Sequence, residues 1–266
     1  MRHVIVHYHL FKNAGSTFDA IMTRNFAGKA NGSIEGTMPW DTLQPDEMQA
    51  FVKNNPQLKF VTSHQARLPC LPVEGTQIHP VFFIRHPIDR VESVYMFERR
   101  QAEDSKSPSV AIARQHGLAG FVEWILSSES TVVARDFQVA HLAAVDRDMR
   151  VARATLEQLD ISIQRIHEAP FVGLVDRFHE SMQVLSHYLR PFFGNLDFTY
   201  SIENRSEGRA ATLDERLARI EQSIGKTLYD QLLDCNALDM ALYDVAAARA
   251  DADIRRIAEL EGTVTQ

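Results

Sequence analysis

The chain has 266 residues, 45% of them apolar and 24% charged, with a formal net charge of −7. That composition excludes wholesale disorder and a broad basic face for nucleic acid, while leaving room for a local basic pocket. No run of about 18 apolar residues occurs, so no bilayer span is expected.

The opening stretch "MRHVIVHYHLF" carries a charge and a short apolar run with no small-residue cleavage site, and reads as a first strand. A cytoplasmic protein is expected. Cys70 and Cys235 stand in unrelated contexts that suit neither a disulfide framework nor zinc spacing. Four apolar, β-branched or aromatic runs read as buried strands: Val4–His9, Leu58–Ser63, Val81–Arg85 and Phe171–Val175. Helix-period segments at Phe18–Phe26, Pro45–Asn54, Pro87–Arg100 and Asp176–Leu189 alternate with them. The alternation predicts an α/β fold, a P-loop-like three-layer sandwich with a mainly parallel central sheet flanked by helices. Ligands of such sheets bind off the carboxyl ends of the strands. Here those ends carry Lys12, His64, Arg85 and Asp176.

Residues 27–40, rich in glycine and polar side chains, are expected to be a loop over the site. Residues 108–160 hold no convincing strand and read as a helical insertion or cap within one domain spanning 1–266. There, "LAGFVEWILSS" and "RDFQVAHLAAVDRDMRVARATLEQL" are the helical segments, and 102–108 is a polar loop. Thr212 and Glu215 form a capping box that opens C-terminal helices over 212–266. Leu213, Leu217, Ile220, Ile224 and Leu228 then make an apolar stripe suited to core packing.

Between the first strand and first helix lies Lys12-Asn13-Ala14-Gly15-Ser16-Thr17. A loop that opens a helix offers unpaired backbone N–H groups and the positive end of the helix dipole to an anion. Gly15 permits close backbone approach, Ser16 and Thr17 add hydroxyls, and Lys12 adds a full charge. The lysine precedes the only glycine, unlike the order in triphosphate-binding loops. At the end of the third strand, Arg85 is followed by Pro87, which suits a first helical turn, and by Arg90 and Ser93. An arginine and a serine converging on one phosphate is sound chemistry. The competing reading pairs Arg85 and Arg90 with Asp89 or Glu92. Two anion sites on two strand ends point to a ligand with two separated anionic groups. His7 and His9 share one strand face, but with no third ligand evident a metal is not expected.

"HLFKNAGSTF" resembles the 5′-phosphosulfate loop of the PAPS-dependent sulfotransferases, and "IRHPIDRVESVY" resembles their 3′-phosphate motif. The resemblance extends through "DFQVAHLA", "FVGLVDRFHESMQVL" and "NALDMALYDVA", in the order of the carbohydrate-type branch. Phe11, Ala14 and His86 depart from the usual proline, glycine and acid or amide, without removing a charge. The resemblance implies a sulfotransferase using 3′-phosphoadenosine 5′-phosphosulfate, with adenosine 3′,5′-bisphosphate as product and no metal. Lys12, Asn13, Ala14, Gly15, Ser16 and Thr17 would hold the phosphosulfate, Lys12 stabilising the leaving group, and Arg85 with Ser93 would hold the 3′-phosphate. Arg205 or Ser206, in "NRSEGR", would touch the same phosphate. His64, after the second strand, is the implied general base, with Glu98 or another carboxylate as competitor. The acceptor would be a hydroxyl of a carbohydrate or glycolipid, with no nucleic-acid or membrane-spanning partner role. Alternatives are a P-loop-like nucleotide kinase and a non-catalytic nucleotide-binding protein.

Overall fold

The structure, a computed structural model, describes residues 1–38, 41–102, 105–127, 134–143, 154–200 and 212–264. Its centre is a parallel sheet in the order β2 (Asn31–Ser33), β3 (Phe60–Ser63), β1 (Arg2–Tyr8), β4 (Thr76–Val81). β4 runs on through Phe82 into β5 (Phe83–Ile84), which pairs in parallel with β6 (Gly173–Leu174). Phe82 is the hand-off. Below it the strand pairs with β1, and from its carbonyl onward, which accepts from Gly173 N at 3.0 Å, it pairs with β6.

The first strand alternates as a two-faced strand must. Val4, Val6 and Tyr8 enter one apolar cluster, with α2 (Pro45–Asn54), α6 (Phe137–Ala143), α7 (Leu156–Glu168) and α11 (Ala237–Val264). Ile5 enters the opposite one, with α1 (Gly15–Asn25) and α8 (Phe178–Phe193). These are the two helical layers over the sheet. A third cluster joins α3 (Pro87–Arg99), α4 (Pro108–Gln115), α5 (Gly117–Leu126), α9 (Leu213–Ile224) and α10 (Lys226–Asp234). The expected capping box is present: Glu215 N donates to Thr212 Oγ1 at 3.2 Å. Leu217, Ile220, Ile224 and Leu228 pack into the third cluster as expected, whereas Leu213 packs against the first.

Three expectations need correction. Residues 27–40 are not all loop, because β2 lies there as an edge strand after one 3₁₀ turn at Gly28–Ala30. Its "NGS" has no apolar residue, and only β3 pairs with it among the described residues. The third strand begins at Thr76 rather than Val81. Pro80 disguised it, and is tolerated because only β1 pairs with β4 among the described residues. The helical stretch around 135–159 contains two described helices, α6 and α7, with 144–153 outside the described residues.

α6 and α11 cap one another. Asp136 Oδ1 accepts from Leu238 N and Asp239 N, each at 3.0 Å, at the start of α11. In return Asp239 accepts from Gln138 N at 3.1 Å and Val139 N at 2.8 Å, at the start of α6. Each carboxylate satisfies orphan amides of the other helix and complements its dipole. Among the described residues no helix is long and apolar enough to cross a membrane.

Candidate functional site

The loop after β1 is built for backbone presentation. Lys12 and Ala14 both adopt left-handed conformations, φ 66° and 60°, and Ala14 is the residue from which α1 starts. Left-handed residues in a tight loop turn successive amides toward one concavity, the geometry of an anion nest. Thr17 N and Phe18 N both donate to Ala14 O at 3.2 Å, so the helix is fully wound from its first turn. The amides of Gly15 and Ser16 precede the first intrahelical bonds and face off the helix end. Ser16 is exposed and Thr17 is buried.

Asn13 does something else. Its buried side chain donates from Nδ2 to Phe83 O and to Gln138 Oε1, both at 2.7 Å. It pins the loop to β5 and α6, and its backbone N–H donates to Leu10 O at 3.1 Å, so Asn13 shapes the loop. Lys12 Nζ rests 4.8 Å from the centre of the Phe97 ring, a cation–π contact that holds the amine over the loop.

The loop after β5 touches the first one. Arg85 is 4% exposed, and its Nη1 donates to Lys12 O at 2.8 Å while its Nε donates to Asp89 at 2.7 Å. Asp89, fully buried, also accepts from Arg216 Nε on α9 at 2.7 Å. Arg90 stacks 3.9 Å over Phe137 and donates to Phe11 O at 3.1 Å. Burial lowers its pKa to about 9, which still leaves it cationic at neutral pH. Of the two readings of this segment, the ion pair is present, since Arg85 binds Asp89; Arg85 is also bonded to the loop after β1. Ser93 is half-buried on α3, two turns beyond Pro87.

One buried amide joins the two loops. Gln138 Oε1 accepts from Asn13 Nδ2 at 2.7 Å and from Arg85 N at 2.9 Å, while its Nε2 donates to Arg85 O at 2.8 Å. A polar side chain near the start of the largely apolar run "FQVAHLA" was the sequence signal of this joint.

On the other side of the loop, imidazoles meet carboxylates. His7 Nδ1 lies 2.7 Å from Asp19 Oδ1, and His9 Nδ1 lies 2.9 Å from Asp19 Oδ2. Burial lowers the pKa of His9 to about 4, against the opposing pull of Asp19. Burial by itself would raise the Asp19 carboxyl, yet the two imidazoles hold it well below its ordinary range. The His9 ring fills the space beside Gly15, where a Cβ would stand 2.1 Å from its Nε2. Any other residue at position 15 would therefore have to expel the ring. His9 also stacks on His64, ring centres 3.8 Å apart.

His64 follows β3, with its side chain 53% exposed. Glu35, just beyond β2, binds its Nδ1 at 2.9 Å and accepts from its backbone N at 2.8 Å. An imidazole fixed through Nδ1 turns Nε2 outward, the arrangement of an oriented base. Glu98 is held by Ser109 Oγ at 2.8 Å; burial raises its pKa, and that hydrogen bond and Lys12 temper the rise. Sequence reasoning missed Glu35, Asp19 and Gln138. Arg205 and Ser206 lie outside the described residues.

Lys12–Thr17 thus follow β1, His64 follows the neighbouring β3, and Arg85 follows β5, which continues the line of β4 on the other side of β1. No protein-family model matches the chain. A protein of Archaeoglobus fulgidus, itself uncharacterized, is 31% identical over 248 residues, covering 91% of this chain and 95% of its own length. Identity sustained across nearly the whole of both chains places this protein in one family with that archaeal protein.

Proposed function

We propose that the chain is a sulfotransferase, moving the sulfuryl group of 3′-phosphoadenosine 5′-phosphosulfate to an acceptor hydroxyl of a carbohydrate or glycolipid. The observation that carries this reading is the direct contact of two basic loops at neighbouring strand ends, through Arg85 Nη1 and the Lys12 carbonyl. A ligand bearing two separated anionic groups suits such a pair, and the likeness of both loops to the sulfotransferase motifs supports the same conclusion. The donor supplies the activated sulfur. Everything else is positioning and charge, as in phosphoryl transfer.

In this reading the amides of Gly15 and Ser16 and the Ser16 and Thr17 hydroxyls hold the phosphosulfate. Lys12 neutralises the charge that collects on the bridging oxygen as the sulfur–oxygen bond breaks. The acceptor oxygen forms the new bond to sulfur and gives its proton to His64 Nε2, with Glu35 holding the ring from Nδ1. Arg85 would share its guanidinium between the 3′-phosphate and the partners it now has, and Ser93 would add a hydroxyl. Glu98 is the weaker base, since Ser109 already binds it.

The test is thermal unfolding with adenosine 3′,5′-bisphosphate, compared with ATP–Mg²⁺, NADP⁺ and AMP. A ligand at about 100 times its dissociation constant stabilises the folded state by about 2.7 kcal/mol, a shift of about 5–10 °C here. A shift with the bisphosphate alone, followed by sulfate-donor-dependent modification of a hydroxyl panel, is the expected result. A shift with ATP–Mg²⁺ instead would turn the reading to a kinase. Binding without transfer would turn it to a nucleotide-binding protein.

A further inference from the structure

Two imidazole nitrogens and a carboxylate converge beside the loop, and their ligand atoms all lie within 4.8 Å of one another. We infer that His7, His9 and Asp19 form a binding site for a divalent transition cation of the zinc class, tying β1 to α1 across the loop.

The donor set suits this class: imidazole nitrogens with one carboxylate oxygen are ligands of zinc, cobalt and ferrous iron, and poor ligands of magnesium or calcium. The donors also sit on rigid supports. His7 lies in β1 and His9 just past its end, their rings stacked with centres 5.0 Å apart, and Asp19 is in the second turn of α1. His7 is 1% exposed and His9 5%, so their rings are fixed by packing rather than by solvent. Phe18 stands edge-on to the His7 ring at 4.8 Å. The Asp19 side chain, 22% exposed, is the adjustable member and the side from which an ion would enter.

Both rings turn the same atom inward. His7 Nδ1 and His9 Nδ1 each meet an oxygen of the one carboxylate, at 2.7 and 2.9 Å. Around a tetrahedral zinc with bonds of about 2.0 Å, ligand atoms stand about 3.3 Å apart. The two N···O contacts are thus about half an ångström shorter than that, while the full set of ligand atoms lies within 4.8 Å, so an ion would draw the donors into place chiefly by moving Asp19. Binding requires each neutral imidazole to carry its proton on Nε2, leaving the Nδ1 lone pair for the metal. Asp19 is already anionic, so the cation replaces hydrogen-bond protons between the same three groups. Water would complete the coordination.

Three residues from two elements leave the remaining coordination to solvent, which fits a site that is loaded and stripped reversibly. Because His9 lies against both Gly15 and His64, an ion there would stiffen the anion loop and the histidine beside it together. The inference does not depend on the transferase reading, and its test needs no turnover.

The full-length protein, stripped with a chelator, is titrated with Zn²⁺ by calorimetry and with Co²⁺ by visible absorption. The expected result is one saturable equivalent, ligand-field bands of four- or five-coordinate Co²⁺, and a melting temperature raised by about 5–10 °C at about 100 times the dissociation constant. Asp19→Asn keeps the size of the side chain and one acceptor oxygen, and should weaken binding at least about 10-fold. A His3→Gln, His79→Gln double variant should leave it unchanged, which separates the site from adventitious binding at the other histidines. No saturable equivalent below about 100 μM, or binding indifferent to Asp19→Asn, overturns the inference and leaves a purely hydrogen-bonded clasp. Should Asp19→Asn fail to fold, the Co²⁺ spectrum and stoichiometry of the wild-type protein decide alone: an octahedral, oxygen-only spectrum overturns it.

Discussion

Strand β1 carries imidazoles at both ends, and the two ends have been put to different use. At the amino end His3 Nδ1 lies 3.1 Å from His79 Nε2, His79 Nδ1 lies 2.7 Å from the Tyr188 hydroxyl, and the rings of Phe192 and Phe193 close the cluster. At the carboxyl end His7, His9 and His64 each face a carboxylate, Asp19 or Glu35. Burial lowers both His79 and His9 to about 4. His3 reinforces that effect at His79, whereas Asp19 opposes it at His9. The same side chain is thus packed among aromatic rings with neutral partners at one end and set against a carboxylate at the other. What separates them is the neighbouring carboxylate, supplied where the fold leaves its crevice.

The sharpest way to break the comparison is to remove one histidine from each end. On the proposed sulfotransferase reading, in which His64 is the base, His64→Ala should lower kcat at least about 100-fold, because a positioned base contributes about 10²–10⁴. Its melting temperature should stay within about 2 °C, since the ring is half-exposed. His79→Gln should leave kcat within about 2-fold. Equal losses at both ends would erase the distinction. Glu35→Gln should fall between these two, with a kcat loss smaller than that of His64→Ala.

Gly15→Ala tests the carboxyl end by crowding it. A Cβ only 2.1 Å from His9 Nε2 forces the ring out of place, at a cost of about 2–3 kcal/mol and about 5–10 °C in melting temperature. Acid tests the amino end. The folded-state pKa of His79 is depressed below the ordinary value of 6.5 to about 4, so its contribution is complete above 6.5. As pH falls from there, the unfolded chain takes up a proton that the folded chain refuses, and stability is lost toward pH 4. Melting curves across that window should show a shallower fall in His79→Gln than in the wild type. The smallest effect is expected at Ala14, held at φ 60°. Ala14→Gly relieves left-handed strain, partly offset by greater freedom in the unfolded chain, and should raise stability by about 0.5–1 kcal/mol.

The parallel sheet was legible because its central strands are largely buried and read as apolar runs ending in polar residues. β2 was not, since "NGS" on an edge has no side-chain pattern to detect, and β4 hid behind Pro80. Of the candidate site, Lys12, Arg85 and His64 stood out as polar residues just past strand ends. Asp19 and Glu35 did not, because each acts through a partner remote in the chain: Asp19 is 12 residues from His7, and Glu35 is 29 from His64. The inward turn of Asn13 was hidden for the same reason, its partners being 70 and 125 residues away. Local pattern reports what a side chain is; only packing reports whom it meets.

The amide of Gln138 has a consequence for how variation in this family should be interpreted. Asn13, Arg85 and Gln138 share its hydrogen bonds, so the loops after β1 and β5 are one mechanical unit although 72 positions separate Asn13 from Arg85. A change in either loop then alters the other's shape, and paired substitutions at Asn13 and Gln138 should depart from additivity by about 0.5–3 kcal/mol. In a lineage, such positions are free to change only in company.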